Sequence, residues 1–261
     1  MEASKSQDQI IQELNKDGLC QVDGLLPADL VSALRSEALK AVDIEIERQG
    51  TMEFNDLGRV LFAPMYGGAF LEFLEQKPVF DILRGFMESE LILYTMTTSC
   101  IPPGRSNYTN RIHRDTHIIV PGFRPIVAMQ VLLDDFTEEN GAPLFVRGSQ
   151  VDPNQPGPEK FESEAEMITG KKGAINFFDP RIWHRSTNND SDKWRCCLLP
   201  GLIHPWMKQR FDVESMLKDT DLSGCSDHAL QLLGLKNLPP SSWNEFYERG
   251  RSAFFAENES H

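Results

Sequence analysis

The chain has 261 residues, 40% of them hydrophobic and 25% charged, which are the proportions of an ordinary globular protein and exclude wholesale disorder. A formal net charge of -13 argues against nucleic acid or an anionic membrane surface as the main partner, because both select basic patches. The N-terminus MEASKSQDQIIQEL has no apolar signal-type core, and no run reaches the roughly 18 apolar residues of a membrane span, so a soluble, cytoplasmic protein is expected.

One domain is expected over residues 1–261: a helical part to about residue 90, a β core over about 91–205 and a helical part over about 206–261. Behind Pro27, residues Leu30, Val31, Leu34, Ala38 and Val42 recur at helical spacing, which predicts an amphipathic helix over 27–48. Phe70, Leu71, Phe73 and Leu74, then Val79, Ile82 and Leu83, predict more helix. From residue 91 the runs LILYTMTTSC, HIIVPG, IVAMQVLLDDF, APLFVRGS, GAINFFD and WRCCLLPGLI read as short strands between turns, the pattern of an antiparallel sandwich or barrel. VDPNQPGPEK (151–160) reads as a loop, since its prolines cannot sit inside a ladder. Helical spacing returns with Phe211, Val213, Met216 and Leu217, then Leu230, Leu232 and Leu233. The five cysteines are odd in number and lack a C-x-x-C pair, so neither a disulfide framework nor a structural zinc site is indicated. Adjacent Cys196 and Cys197 should face opposite sides of a strand.

RIHRDTH (111–117) raises the question of a metal. If it is a strand, His113 and Asp115 share a face and Arg114 points away. His184, at the end of FFDPRIWH, is available as a third ligand, and two histidines with one carboxylate leave positions open for a co-substrate and dioxygen on ferrous iron. Zinc uses similar ligands, and H-x-D alone is common by chance. Eleven positions after His184, Arg195 stands in the apolar stretch KWRCCLL. A cation there needs an anion, either a ligand carboxylate held in bidentate fashion or an internal salt-bridge partner.

These positions resemble the phytanoyl-CoA dioxygenase family of iron(II)- and 2-oxoglutarate-dependent oxygenases, whose motif is H-x-D, a distal His, Asn at plus five and Arg at plus eleven. They correspond here to His113, Asp115, His184, Asn189 and Arg195. FRPIVAMQVLLDDFTEENGAPLFVRGSQ is similar to the family's central strands, and DGLCQVDGLLPADLVSALRSEA to its opening strand and helix, so the likeness spans roughly residues 10–250. Gln150 stands where members usually carry histidine, a change expected to touch a structural turn more than the chemistry.

The resemblance implies a mainly β fold with flanking helices, the double-stranded β-helix or jelly roll. It implies Fe(II) held by His113, Asp115 and His184, with 2-oxoglutarate as co-substrate, dioxygen (O2) as oxidant and ascorbate as a supporting reductant. Arg195 would clamp the distal carboxylate and Ser186 would add a hydrogen bond. Asn110 and Gln130 are further candidates for co-substrate contact. A carboxylate at position 115, where halogenases of this class carry a small residue, favours hydroxylation or desaturation. His117 is either a fourth ligand or, preferably, a pocket or structural residue. Arg105 and Arg111 are either substrate contacts or solvated charges, Trp183 is a packing residue, and Phe54, Phe62 and Tyr66 lie in an expected lid loop. The implied partner is a small organic substrate in specialised metabolism. A jelly roll that only binds, or a zinc-dependent hydrolase or isomerase, are the alternatives. Neither the substrate nor the oligomeric state is encoded in these patterns.

Overall fold

The computed structural model describes residues 5–49, 57–107 and 109–248. Ser6 starts helix α1 (Gln7–Asp17) with a capping box: its hydroxyl accepts from the Gln9 N–H, and the Gln9 side chain accepts from the Ser6 N–H. Gly18 ends it in the left-handed region. The chain then runs through β1 (Leu19–Val22), the long helix α2 (Ala28–Gln49), β2 (Arg59–Val60), α3 (Ala69–Leu74), α4 (Lys77–Met87) and β3 (Ile92–Ile101). It continues with β4 (Ile126–Leu132), β5 (Leu144–Phe145), α5 (Pro158–Glu164), β6 (Glu166–Met167), β7 (Ile175–Phe178), β8 (His184–Arg185) and β9 (Arg195–Ile203), and ends in α6 (Val213–Met216) and α7 (Asp227–Leu232). No helix among the described residues is long and apolar enough to cross a membrane.

Two antiparallel sheets result, one of six strands in the order β1-β7-β4-β9-β3-β2 and one of three in the order β6-β5-β8. This is the expected jelly roll flanked by helices. Period-two alternation decides what each face of the large sheet meets. Met96, Cys100, Val127, Met129, Val131, Ile175, Phe177, Cys196 and Leu198 share one core with the apolar stripe of α2 (Leu30, Val31, Leu34, Ala38, Val42), and with Phe70, Phe73, Val79 and Leu83 of α3 and α4. Each buried Val, Leu, Ile, Phe or Met among them adds about 1.5–3 kcal/mol by leaving water. The opposite face, with Thr95, Thr97 and Ser99 of β3, Ala128 and Gln130 of β4, and Arg195 and Leu199 of β9, looks into a cavity closed by the small sheet. Cys196 and Cys197 do fall on opposite faces.

Three local expectations change. HIIVPG is not a strand, because Pro121 has no N–H and Gly122 adopts φ 74°, so the segment turns back and only Val120 bridges Phe123. RIHRDTH is not a regular strand either. His113 forms one isolated bridge to His184, and the N–H groups of Asp115 and Thr116 both donate to the Pro180 carbonyl. The loop 151–160 ends as α5, with Pro158 in the first turn where its fixed φ suits a helix.

Candidate active site

The triad depends on a single bridge. His113 N–H donates to the His184 carbonyl and His184 N–H to the His113 carbonyl, both at 2.9 Å, which sets the two imidazoles side by side with ring centroids 4.3 Å apart. Asp115 reaches the same point because its own N–H is held by Pro180 O at 2.8 Å. One carboxylate oxygen lies 3.7 Å from His113 Nε2 and the other 3.9 Å from His184 Nε2. Ligand atoms of all three residues fall within 4.8 Å of one another.

Each imidazole is oriented from behind. His113 Nδ1 lies 2.8 Å from Arg111 O, and His184 Nδ1 lies 3.0 Å from Ile182 O. A carbonyl only accepts, so Nδ1 carries the proton and donates, leaving both Nε2 lone pairs turned toward Asp115. Burial, reinforced by neighbouring His184 and only partly offset by Asp115, pushes His113 down to about 4, so its ring is neutral at physiological pH. The Phe145 ring stacks on His184 at 5.0 Å, and Phe178 meets it edge-on at 5.8 Å. Two imidazole Nε2 atoms and a half-exposed carboxylate form a donor set that fits a divalent first-row metal and leaves coordination positions open.

The triad opens into a cavity of about 320 Å³. Arg195, first residue of β9, lines it at 2% exposure. Its guanidinium stacks over Phe136 at 4.4 Å, and its Nε is buried with no hydrogen-bond partner. No ion pair among the described residues includes it, so the internal salt-bridge alternative has no partner there. Desolvation pushes its pKa below the ordinary guanidinium value, and the buried charge favours an anion inside the cavity. Ser186 lines the same space; Thr109 gives its one hydroxyl proton to Asn107 Oδ1, so the Ser186 hydroxyl, 2.9 Å away, donates to Thr109 Oγ1.

Gln130 also lines the cavity, but its amide is engaged: Oε1 accepts from Asn176 Nδ2 at 3.0 Å, and Nε2 faces Cys197 Sγ. Asn110 is placed apart from the lining residues, accepting from Arg185 and donating to Asn188 Oδ1. His117 is exposed and outside both triad and lining. Asn189, fully buried, donates to Ile101 O and Lys193 O and holds the turn before β9. Gln150 donates to Asn15 O and Lys16 O, covering the last carbonyls of α1, so the departure there is structural as expected. Phe62 packs in the core against Phe211, and Tyr66 donates to Glu45; neither lines the cavity, and Phe54 lies outside the described residues.

Sequence reading missed two parts of the wall. Thr95, Thr97 and Ser99 present a row of hydroxyls, legible as alternate positions of TMTTSC. Arg59 enters the lining from β2, where it registers opposite Ser99, and only the long-range pairing reveals it.

Residues 14–197 match the sequence model of the family described as phytanoyl-CoA dioxygenase. The chain is 25% identical over 256 residues to the uncharacterized protein Rv1501 of Mycobacterium tuberculosis, covering 95% of this chain and 94% of that one. It is 28% identical over 231 residues to dioxygenase cdmA of Talaromyces verruculosus, covering 78% and 75%. Among solved structures, AviO1 from Streptomyces viridochromogenes superposes with a TM-score of 0.65 at 18% identity, covering 79% of this chain and 98% of that one. The non-haem alpha-ketoglutarate-dependent epimerase SnoN from nogalamycin biosynthesis gives 0.62 at 16%, covering 76% and 81%. These two share the fold.

Proposed function

The chain belongs to the phytanoyl-CoA dioxygenase family of iron(II)- and 2-oxoglutarate-dependent dioxygenases, its His-Asp-His triad intact, and on that premise we propose that it oxidises a C–H bond of a small organic molecule. The observation that carries this reading is the convergence, in one cavity, of a three-ligand metal face and a buried guanidinium that has no carboxylate partner among the described residues. His113, Asp115 and His184 hold Fe(II). Arg195 clamps the distal carboxylate of 2-oxoglutarate, Ser186 turns its proton from Thr109 to that carboxylate when it binds, and Gln130 and Arg59 shape the surrounding wall. These contacts do not extend to Asn110, whose amide is taken by Arg185 and Asn188. When bound, the metal and 2-oxoglutarate supply the oxidising power, with release of succinate and carbon dioxide. The protein supplies orientation and a walled space that limits side reactions.

Asp115 occupies the carboxylate position, which supports hydroxylation or desaturation over halogenation. A role in specialised metabolism takes support from the fold shared with SnoN, an enzyme of nogalamycin biosynthesis. Anaerobic titration of Fe(II) and 2-oxoglutarate into the metal-free protein tests the reading. The expected result is the weak visible charge-transfer band of a chelated keto acid, abolished in His113→Ala and weakened in Arg195→Ala. Full zinc occupancy with no response to 2-oxoglutarate would instead favour a zinc-dependent hydrolase or isomerase.

A further inference from the structure

The three ligands sit on irregular backbone. His113 occupies a lone bridge, Asp115 a bend and His184 the start of a two-residue strand, so the ladder that normally fixes side-chain directions is almost absent. Next to them in sequence stands an unusual pair. Arg114, between ligands His113 and Asp115, is 4% exposed, and Trp183, which precedes ligand His184, is 3% exposed. The guanidinium carbon lies 3.9 Å from the centroid of the Trp183 ring, and Nη2 donates to the backbone carbonyl of Asp152. Trp183 is anchored in turn: its N–H donates to Ser149 Oγ at 2.8 Å, its carbonyl accepts from Val146 N–H at 2.9 Å, and its ring packs with Leu144, Val146 and Phe161.

A buried guanidinium stacked on a ring and tied to a carbonyl is costly to desolvate, and among the described residues Arg114 has no ion pair and its Nε no hydrogen-bond partner. An apolar side chain would fill the same volume at lower cost. What arginine adds is direction, since a planar group fixed at two points locks the backbone that carries it. We propose that the Arg114–Trp183 stack is a positioning clamp for the metal centre. It locks the segment bearing His113 and Asp115 to the segment bearing His184, and the turn at 149–152 serves as its anvil. The inference rests on the metal reading above and assigns two residues outside the ligand triad, one of which, Arg114, also borders the cavity.

Cobalt(II) alone, titrated into the metal-free full-length protein, tests it, with affinity and visible d–d absorption read alongside thermal unfolding. Wild type should bind and His184→Ala should not. Arg114→Met and Trp183→Leu should each bind about tenfold or more weakly, with a changed d–d spectrum, in the range seen when groups that orient ligands are lost. Arg114→Lys should recover part of the affinity, and Trp183→Phe, which keeps a ring face, most of it. The double variant should bind no more weakly than either single one, because either change alone opens the clamp. Binding by Arg114→Met within twofold of wild type, or losses that add in the double variant, overturns the clamp while leaving the metal reading intact. Should Arg114→Met fail to fold, the Arg114→Lys and Trp183→Phe pair decides: wild-type spectra and affinity in both overturn it. Failure of wild type itself to bind cobalt(II) overturns both readings.

Discussion

Arg195 lies over the ring of Phe136 at 4.4 Å, so one face of the cation that opens β9 is covered by an aromatic ring while the residue borders the cavity. That relationship separates affinity from stability. Arg195→Met keeps most of the volume and removes the charge-assisted interaction assigned to 2-oxoglutarate, worth about 1.5–3 kcal/mol in all, so co-substrate affinity should fall roughly 10- to 150-fold. Stability of the metal-free protein should hold or rise, because a buried cation without an ion pair is removed. Isothermal titration of the metal-loaded protein and thermal unfolding of the metal-free protein give the two numbers. A large loss of stability with unchanged affinity would make Arg195 a structural residue.

The neutral ring of His113 has a consequence for acid stability. Its folded-state pKa, about 4, lies below the ordinary imidazole value of 6.5. Between those values the unfolded chain binds a proton that the folded chain does not, so stability of the metal-free protein falls as pH drops through this window and levels off above it. The ceiling is about 3 kcal/mol. Urea unfolding at pH 4.5 and pH 7 should show a smaller pH difference in His113→Gln than in wild type. Equal differences would mean that His113 titrates normally.

Gly58 positions Arg59. Its φ of 87° is strained for any residue with a side chain, and an added Cβ would sit 1.7 Å from the Cys100 carbonyl oxygen, which belongs to the backbone of β3. Gly58→Ala should therefore cost at least about 2 kcal/mol and shift β2 away from β3. Because Arg59 is the next residue and borders the cavity, 2-oxoglutarate affinity should fall in the same variant. Denaturant unfolding with a wild-type midpoint would contradict this.

The limits of legibility follow from range. The stripe of α2 and the alternation along β3, β4 and β9 are local periodicities, and they predict which side chains enter the core shared by helices and sheet. His113, Asp115, His184 and Arg195 were readable through their spacing together with the family likeness, and they do converge. The backbone around them was not readable. Asp115 and Thr116 give their N–H groups to Pro180, more than sixty residues away, and this contact turns an apparent strand into an irregular hook. Arg59 was hidden for the same reason, as a two-residue strand is defined only by its partner at Thr98 and Ser99. Asn110 shows the reverse case, where proximity to His113 in sequence did not bring its side chain into the cavity lining.

Gln150 offers a test that should leave the chemistry untouched. Its amide donates to Asn15 O at 3.4 Å and Lys16 O at 3.2 Å, two of the carbonyls that α1 cannot satisfy within itself, and its side chain is buried against Gly18. Gln150→Ala leaves those carbonyls under-bonded and opens space beside Ile182, at a cost of about 1–3 kcal/mol. Metal affinity should stay within twofold of wild type, because the amide touches neither the triad nor the Arg195 end of the cavity. The comparison needs only thermal unfolding and cobalt(II) titration of one variant. A metal-affinity loss out of proportion to the stability loss would show that the α1 terminus, through Gly18 O and the Asp179 N–H it accepts from at 2.9 Å, helps to place Pro180 and therefore Asp115.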